Sequence, residues 1–416
     1  MSGPEIVTLG CRLNIAESET LRAQLGDQDD LVIINSCAVT AEAVRDTRHA
    51  IRRAHRERPD ARIIVTGCAA QIEPETFAAM PEVTRVVGNA AKPHAASFRG
   101  DAPLPRTLVT DIMRVRETAP QLADAFPGHS RAFVEVQNGC DHRCTFCVIP
   151  YGRGNSRSVP AGLVVENIRA LVAAGYREVV LTGVDITSYG PDLPGQPTLG
   201  QLVERILRQV PALPRLRLSS LDAVEIDERL FDLLTGEPRM MPHLHLSLQA
   251  GDDMILKRMK RRHSRAQAIA LVERLKAKRP EIAIGADLIA GFPTEDDAMA
   301  ANSLSLIDAC DIVFAHIFPY SPRAGTPAAR MPQVAPRVVT ARAAALRAAG
   351  RRRRTAWLAS QTGRVQRVLV ERGGRGHAEN FARVRIDDAA GARRRGEIVP
   401  VRATALEGDT LIGVPA

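Results

Sequence analysis

The sequence has few aromatic residues, no long apolar run and few cysteines. Only 4% of its 416 residues are aromatic, with one Trp and four Tyr, so few side chains are available to stack on nucleic-acid bases. No apolar stretch approaches the ~18 residues of a membrane span. Met1 to Glu5 also lacks the basic segment of a secretory signal, and we therefore expect a cytoplasmic protein. In that compartment seven cysteines favour metal or redox chemistry over a disulfide framework.

Charge is distributed unevenly along the chain. The net charge is +9, but the segment from Arg337 to Ala416 holds 17 arginines, no lysine and seven acidic residues, a net charge of +10. The remainder of the chain is therefore close to neutral. A basic C-terminal part favours a polyanionic partner, most plausibly nucleic acid, although a solubilising arginine-rich face explains the same composition.

Cys140, Cys144 and Cys147 form a compact motif with C-x₃-C-x₂-C spacing. Three thiolates can bind three irons of a 4Fe–4S cluster and leave the fourth iron open to a small chelating molecule. A zinc ion would need a fourth N or S ligand, for which only His142 lies inside the motif. A disulfide with one spare thiol is the third alternative.

A second set of cysteines lies in the N-terminal quarter. Apolar runs ending near Leu9, Ile34 and Val65 alternate with helix-like segments, which predicts a parallel α/β sheet. Cys11, Cys37 and Cys68 each follow one of these runs. Because the carboxyl ends of parallel strands share one edge of a sheet, we expect these cysteines to converge on a second three-cysteine cluster site. Isolated buried cysteines that only fill space are the alternative.

About six further strand–helix repeats follow, from Arg131 to Ser321. Six units are too few for a complete eight-unit barrel, so we expect a partial (β/α)₆ barrel with its active face at the strand ends. After a long Ala/Arg helix over Arg337–Ser360, short strands indicate a small all-β barrel of the oligonucleotide-binding type. We expect Arg364, Arg367, Arg383 and Arg385, on or beside these strands, to bind RNA phosphate.

Other residues with reactive or charged side chains receive structural interpretations. We expect Cys310, after an apolar helix, to be a packing residue, and His142 and His49 to be solvated. The histidines show no metal-ligand pattern. The charge run Lys257–Arg262 predicts a solvated helix face, with phosphate binding as the alternative.

Taken together, these features resemble the radical S-adenosylmethionine (SAM) methylthiotransferase family over nearly the whole chain. The matching stretches are Thr8–Asn14, Asn35–Thr40, Thr66–Gln71, Cys140–Arg153 and Phe318–Thr326. The resemblance implies four segments: a three-cysteine methylthiotransferase domain (1–100), a linker (101–130), a radical SAM domain (131–360) and a TRAM domain (361–416).

The resemblance also implies the chemistry. Cys140, Cys144 and Cys147 would bind a 4Fe–4S cluster whose open iron chelates SAM, and reduction would cleave SAM to methionine and a 5′-deoxyadenosyl radical. That radical would remove hydrogen from C2 of an adenine. The second 4Fe–4S cluster, on Cys11, Cys37 and Cys68, would present the sulfur, and a second SAM would supply the methyl group. No catalytic residue beyond the cluster ligands is implied.

SAM contacts carry over at strand ends of the barrel. Phe146 matches an aromatic residue whose backbone faces the SAM adenine, and the remaining candidates are Gly183, Asp185, Ser247, Gln249, Asp287, Ile289 and Gly291. Within the family, Leu9–Asn14 and His243–Asp253 look more like the branch that converts N6-threonylcarbamoyladenosine, next to the tRNA anticodon, to its 2-methylthio derivative. The expected partners are tRNA, an electron donor and a sulfur donor.

Other functions remain as alternatives. The same chemistry on isopentenyladenosine tRNA or on a ribosomal protein is the nearest. A non-catalytic iron–sulfur RNA-binding module and a zinc-binding structural protein are alternatives of other classes.

Overall fold

The N-terminal part is a five-stranded parallel sheet. The structure, a computed structural model, describes residues 3–100, 103–116, 123–387 and 394–416. The strands lie in chain order in the sheet: β1 (Glu5–Thr8), β2 (Leu31–Ser36), β3 (Arg62–Gly67), β4 (Arg85–Val87) and β5 (Thr107–Leu108). The helices are α1 (Arg12–Gln24), α2 (Ala41–Glu57), α3 (Cys68–Ile72) and α4 (Pro74–Ala78). The continuous apolar run of β2 is buried on both faces.

Two of these elements differ from the sequence expectation. Thr107–Leu108 lies in the segment expected to be a linker, yet it pairs with β4 as the fifth strand. Cys68 begins the short helix α3 directly after β3, with Gly67 in a left-handed conformation between them (φ 93°). The linker therefore contributes to the N-terminal sheet, and its ends at 101–130 stay a prediction.

The middle part is the expected partial barrel of six strands. It begins with β6 (Ala132–Glu135), a ribbon of β7 (Gln137–Asn138) and β8 (Arg157–Ser158), and β9 (Glu178–Thr182). The barrel continues with β10 (Arg215–Leu218), β11 (His243–Gln249), β12 (Ala283–Ala290) and β13 (Ile312–Pro319). Two parallel sheets, β10-β9-β6 and β11-β12-β13, are joined by parallel bridges at Leu216–Met240 and Leu221–Leu246.

Helices follow the barrel strands, and most of them cover the outside of the barrel, whereas the first, short one packs on α3 of the N-terminal domain. They are α5 (Ile149–Arg153), α6 (Ala161–Ala173), α7 (Leu199–Gln209), α8 (Glu228–Gly236), α9 (Asp253–Met259), α10 (Arg265–Lys278), α11 (Asp297–Ala309) and α12 (Pro336–Ala359). Along β11, Leu244, Leu246 and Leu248 pack into the core under these helices. Residues of a strand alternate between its two faces, so His243, His245 and Ser247 face the barrel interior. Helix α1 packs on β6, which places the N-terminal domain against that edge strand of the barrel.

The C-terminal part is a closed barrel of five strands. They are β14 (Val365–Val370), β15 (Arg375–His377), β16 (Arg383–Ile386), β17 (Ile398–Glu407) and β18 (Thr410–Pro415), in the order β14-β15-β16-β18-β17. This confirms the predicted all-β barrel. Among the described residues, no helix has the length and apolar character needed to cross a bilayer.

Candidate functional site

The three N-terminal cysteines lie at adjacent strand ends, as the sequence predicts. Cys11 follows β1 and caps α1, Cys37 follows β2, and Cys68 follows β3. Gly10 has a left-handed backbone (φ 95°), and a side chain there would lie 2.8 Å from Cβ of Cys37. Glycine at position 10 is therefore needed for the first two cysteine loops to approach each other.

Arg153, from the middle part of the chain, joins the two cysteine motifs. Its Nε donates to Sγ of Cys68 at 3.1 Å, and its Nη2 donates to Oδ1 of Asn14. The same Asn14 oxygen accepts from Sγ of Cys11 at 3.8 Å. Next to Arg153, Gly152 approaches Cys68 so closely that a Cβ would lie 3.2 Å from the Cys68 Cβ. The loop after Cys147 therefore lies directly against the N-terminal cysteines.

Arg153 is held by a buried network of charges. It forms an ion pair with Glu17 through Nη1 and a hydrogen bond to Glu17 Oε2 at 3.0 Å. Lys92 Nζ lies 2.7 Å from the same Oε2 and donates to Asn35 Oδ1 at 3.2 Å. Although burial opposes ionisation, Arg153 and Lys92 lower the pKa of Glu17 to about 2. Two cations share one carboxylate, so the network carries an excess positive charge beside Cys68.

The second motif forms a loop between β7 and α5. Cys147 N donates to the Cys144 carbonyl at 3.1 Å, and Cys140 N donates to the Gly154 carbonyl at 3.0 Å. Thr145 anchors the centre of the loop through its hydroxyl, which donates to the Arg258 carbonyl at 2.8 Å. These bonds fix the cysteine loop at the carboxyl ends of the barrel strands.

Polar groups surround the three sulfurs of this loop. Sγ of Cys140 lies 3.9 Å from Oδ2 of Asp185, and Sγ of Cys144 lies 3.8 Å from Nη1 of Arg261. Burial raises the pKa of the Cys147 thiol to about 12 and that of Cys37 to about 11. Such buried thiols need a bound cation if they are to ionise.

The donor spacing fits clusters better than single ions. All seven cysteines lie in the described ranges and none forms a disulfide. Within those ranges, two groups of three His, Cys, Asp or Glu donors have all their atoms within 4.8 Å of one another: Cys140–His142–Asp185 and His245–Asp287–His316. Neither cysteine triplet is so tightly grouped. Zinc binds sulfur at about 2.3 Å and therefore holds its ligand atoms less than 4.8 Å from one another. In a cubane cluster each cysteine instead binds a different iron.

The structure corrects two interpretations near this loop. His142, expected to be solvated, lies between Asp185 (3.5 Å) and Glu225 (3.6 Å), and its hydrogen bond to Glu225 raises the pKa of the imidazole. Arg261, at the end of the charge run expected to be solvated, is buried and lies 2.8 Å from Asp222. Both were missed because the partners are remote in sequence. Cys310 is fully buried, as expected of a packing residue.

Four of the eight predicted SAM contacts line one cavity. Phe146, Gln249, Asp287 and Ile289 lie around a volume of about 190 Å³. The N-terminal domain and the end of β13 form the other wall, with Val39, Thr40, Phe318, Pro319, Tyr320 and Ser321. A cavity with aromatic and aliphatic walls and few polar groups suits an adenine nucleoside.

The other four predicted contacts lie outside that lining. Asp185 is beside Cys140, and Gly183 packs so tightly on Gln137 that a Cβ would lie 2.5 Å from its carbonyl oxygen. Ser247 accepts from Arg261 through its carbonyl at 2.7 Å. Gly291 has φ 70° and donates to Glu295 at 3.1 Å. The structure therefore separates the predicted set, and each of its residue assignments stays a prediction.

A histidine–carboxylate cluster lies on the strands β11, β12 and β13, with His316 exposed. Asp287 Oδ1 is 2.9 Å from Nε2 of His245 and 3.3 Å from Nδ1 of His316. The two histidines lower the pKa of Asp287 although burial opposes this. The sequence shows no metal-ligand pattern for these histidines, because the donors are far apart along the chain. The three residues come from three adjacent strands, β11, β12 and β13, which only the sheet order brings together.

The predicted RNA-binding arginines lie on the C-terminal barrel. Arg367 pairs with Glu379 at 3.4 Å, Arg383 with Asp409 at 3.2 Å and Arg385 with Glu407 at 2.9 Å, whereas Arg364 immediately precedes β14. These surface pairs are weak, so an incoming phosphate can compete for the arginines. Their role in binding RNA stays a prediction.

Comparison with known proteins identifies the family. Residues 134–307 match the radical SAM superfamily, and residues 4–88 match the family described as "Uncharacterized protein family UPF0004". A threonylcarbamoyladenosine tRNA methylthiotransferase MtaB from Rickettsia prowazekii (strain Madrid E) is 49% identical over 401 residues, 95% of each chain. The chain belongs to the MtaB methylthiotransferase family. An MtaB from Chlamydia pneumoniae is 35% identical over 98% of this chain and 97% of that protein.

More distant relatives show how far the similarity of this chain extends. A tRNA-2-methylthio-N(6)-dimethylallyladenosine synthase from Cereibacter sphaeroides (strain ATCC 17025 / ATH 2.4.3) is 34% identical over 98% of this chain and 97% of that protein. Among solved structures, the radical SAM methyltransferase TsrM from Kitasatospora setae has a TM-score of 0.53 and 17% identity, over 76% of this chain and 72% of that one. At that identity the likeness supports the fold alone.

Proposed function

We propose that this protein converts N6-threonylcarbamoyladenosine at tRNA position 37 to its 2-methylthio derivative. The observation that carries the proposal is the meeting of two cysteine triplets across Arg153, whose guanidinium contacts Cys68 while its own loop follows Cys147. Two sets of thiols at one interface allow a radical source and a sulfur source to act on the same substrate atom. The 49% identity to an MtaB over 95% of the chain supports the choice of substrate.

The cysteines fit the two 4Fe–4S clusters that the family requires. Cys140, Cys144 and Cys147 would hold the one that chelates SAM, and Cys11, Cys37 and Cys68 would hold the other. When bound, these groups and SAM supply the radical abstraction, the sulfur and the methyl group, which no ordinary side chain can provide. The features that fit this assignment are that the thiols are free and that neither triplet is grouped within 4.8 Å.

Side chains of this protein position the reactants. Asp185, beside Cys140, is placed to accept from the amino group of SAM, and the Phe146–Ile289 cavity is suited to its adenine. Arg153 holds the two cysteine loops in register through Glu17 and Cys68.

The basic C-terminal barrel is the proposed tRNA-binding part. Its arginines would bind the phosphate backbone, which adds affinity without sequence specificity. An electron donor and a sulfur donor complete the proposed set of partners. We place the reaction in the cytoplasm, where tRNA is available and thiols stay reduced.

Nucleoside analysis of tRNA from a strain lacking the gene tests this proposal. We expect loss of the 2-methylthio-threonylcarbamoyl nucleoside, its unmethylthiolated precursor in its place, and restoration by the wild-type gene but not by Cys140→Ala. Unchanged tRNA, or loss of the methylthio-isopentenyl nucleoside instead, would overturn the assignment. The second outcome would favour the activity of the Cereibacter relatives.

A further inference from the structure

At the amino end of β11, the interior of the middle barrel is covered by Phe381, a residue of the C-terminal barrel. Phe381 has a left-handed backbone (φ 68°), which is costly for an aromatic residue and which only a well-packed environment maintains. Its ring centroid lies 4.9 Å from that of His243, the first residue of β11, and 4.6 Å from that of His377. Phe381 therefore forms a floor beneath the barrel interior.

Arginines surround this floor, and most of them are paired. Arg131 lies 2.8 Å from Glu178 and 2.7 Å from Glu371. Arg217 lies 2.9 Å from Glu178, and Arg215 lies 3.4 Å from it. Although Glu178 is buried, these cations lower the pKa of its carboxyl to about 2. Glu371 and Glu379, which lies 4.0 Å from Arg215, add two further carboxylates, so these three arginines all have anionic partners.

Arg12 is the exception among these cations. It follows Cys11 at the start of α1, and its guanidinium carbon lies 5.9 Å from the Phe381 ring centroid, beside Arg131 (5.4 Å) and Arg217 (5.0 Å). Within the part of the chain that the structure describes, Arg12 makes no hydrogen bond or ion pair with a protein group. An arginine side chain keeps its charge at neutral pH.

A half-buried guanidinium that lies over an aromatic ring but has no anionic partner is stabilised when an anion binds beside it. We propose that Arg12 binds the carboxylate of the threonylcarbamoyl group on the substrate adenine and thereby sets substrate specificity. This inference rests on the proposed function, and it adds a specificity-determining residue to it. An isopentenyl group has no charge and would leave Arg12 unpaired.

The position of Arg12 in the chain agrees with this assignment. Arg12 directly follows Cys11 of the N-terminal triplet, and consecutive Cα atoms are about 3.8 Å apart. An N6-threonylcarbamoyl group is about as long as two residues of extended chain, roughly 7 Å, so its carboxylate can approach Arg12 from an adenine held beside this triplet. The ion pair of His245 with Asp287 gives the barrel wall further hydrogen-bonding groups.

A backbone phosphate is the other source of an anion for Arg12. The two sources differ in what they predict. A carboxylate on the base makes Arg12 important only for RNA that carries the threonylcarbamoyl group. A phosphate contact makes it equally important for every RNA of the same length.

Binding of three anticodon stem-loops to the anaerobically reconstituted full chain tests the proposal. They carry at position 37 threonylcarbamoyladenosine, an analogue whose carboxylate is replaced by a hydroxymethyl group, or plain adenosine. Fluorescence anisotropy gives Kd for wild type, Arg12→Gln, Arg12→Lys and the control Arg45→Gln, an exposed arginine of α2. We expect wild type to prefer the carboxylate RNA over its analogue by at least about tenfold, as a charged hydrogen bond warrants.

The variants distinguish a contact of Arg12 with the base carboxylate from a contact with a backbone phosphate. We expect Arg12→Gln to lose most of this preference, Arg12→Lys to keep much of it, and Arg45→Gln to keep all of it. Equal weakening of all three RNAs by Arg12→Gln would indicate a phosphate contact and overturn the proposal, as would an unchanged preference. Absence of the preference in wild type also overturns it, whereas the proposed function fails separately, in the tRNA nucleoside analysis.

Discussion

Replacing Arg153 by Met should loosen the interface between the two cysteine motifs. The guanidinium is buried, with 2% of its side chain exposed, and it contacts Glu17, Asn14 and Cys68 together. Methionine has a similar length but offers neither charge nor hydrogen bonds. Glu17 would then keep only Lys92, at 2.7 Å, as a charged partner.

The expected magnitude follows from the burial of this pair. Removing one partner of a buried ion pair costs about 3–5 kcal/mol, because the other charge stays buried without compensation. Since Lys92 remains, we expect the lower end, about 3 kcal/mol, for local opening of α1. That corresponds to an increase of about 100-fold in the opening equilibrium, at about 1.4 kcal/mol for each factor of ten.

Hydrogen exchange of the α1 amides, followed by mass spectrometry, measures this opening directly. The matched control is Arg229→Met, which removes a surface ion pair with Glu204 in which both side chains are about half exposed, worth less than about 1 kcal/mol. Arg153→Lys should be intermediate, because it keeps the charge but not the planar fork. If Arg153→Met and Arg229→Met change the exchange rate of the α1 amides by the same small factor, the buried Arg153–Glu17 network does not hold the two cysteine motifs together.

Three further predictions follow from the site and its surroundings. Cys37→Ala should remove about half of the iron of the anaerobic preparation and leave the SAM-dependent spectroscopic signal of the cluster on Cys140, Cys144 and Cys147. Full retention of iron would contradict the assignment of the N-terminal triplet. Ile289→Ala should weaken SAM binding in equilibrium dialysis by about tenfold, whereas the exposed Leu163→Ala should not, and equal effects would place SAM elsewhere. The folded-state pKa of Glu178 is about 2, against an ordinary 4.5. The ionised Glu178 therefore contributes about 3 kcal/mol to the free energy of unfolding. This contribution is fully present above pH ~4.5 and is lost as the pH falls toward ~2. Glu178→Gln should therefore flatten the fall of the melting temperature between pH 5 and pH 3, and an unchanged slope would contradict the depressed pKa.

Much of the cysteine chemistry could be predicted because it depends on local spacing and strand ends. Cys11, Cys37 and Cys68 follow strands whose apolar runs are continuous, and parallel pairing puts such positions on one sheet edge. The motif at Cys140–Cys147 is local in sequence. The three-part architecture followed from the same patterns of alternating elements.

What could not be predicted depends on contacts between remote parts of the chain. Arg153 and Glu17 are 136 positions apart, and Phe381 meets His243 only because the C-terminal barrel docks under the middle domain. Periodicity indicates which face of an element is buried but not which polar group it meets. His142 was expected to be solvated for this reason, since Asp185 and Glu225 approach it from two other strand ends.

The central claim is that the two cysteine triplets act together on a threonylcarbamoyl-modified adenine. The most direct test incubates the anaerobically reconstituted full chain with SAM, a reductant, a sulfide source and tRNA carrying either threonylcarbamoyladenosine or isopentenyladenosine, followed by nucleoside mass spectrometry. We predict the methylthio product from the first tRNA only, and none from either with Cys140→Ala or Cys37→Ala. Product from the isopentenyl tRNA alone, or product from the Cys37→Ala variant, would contradict the account.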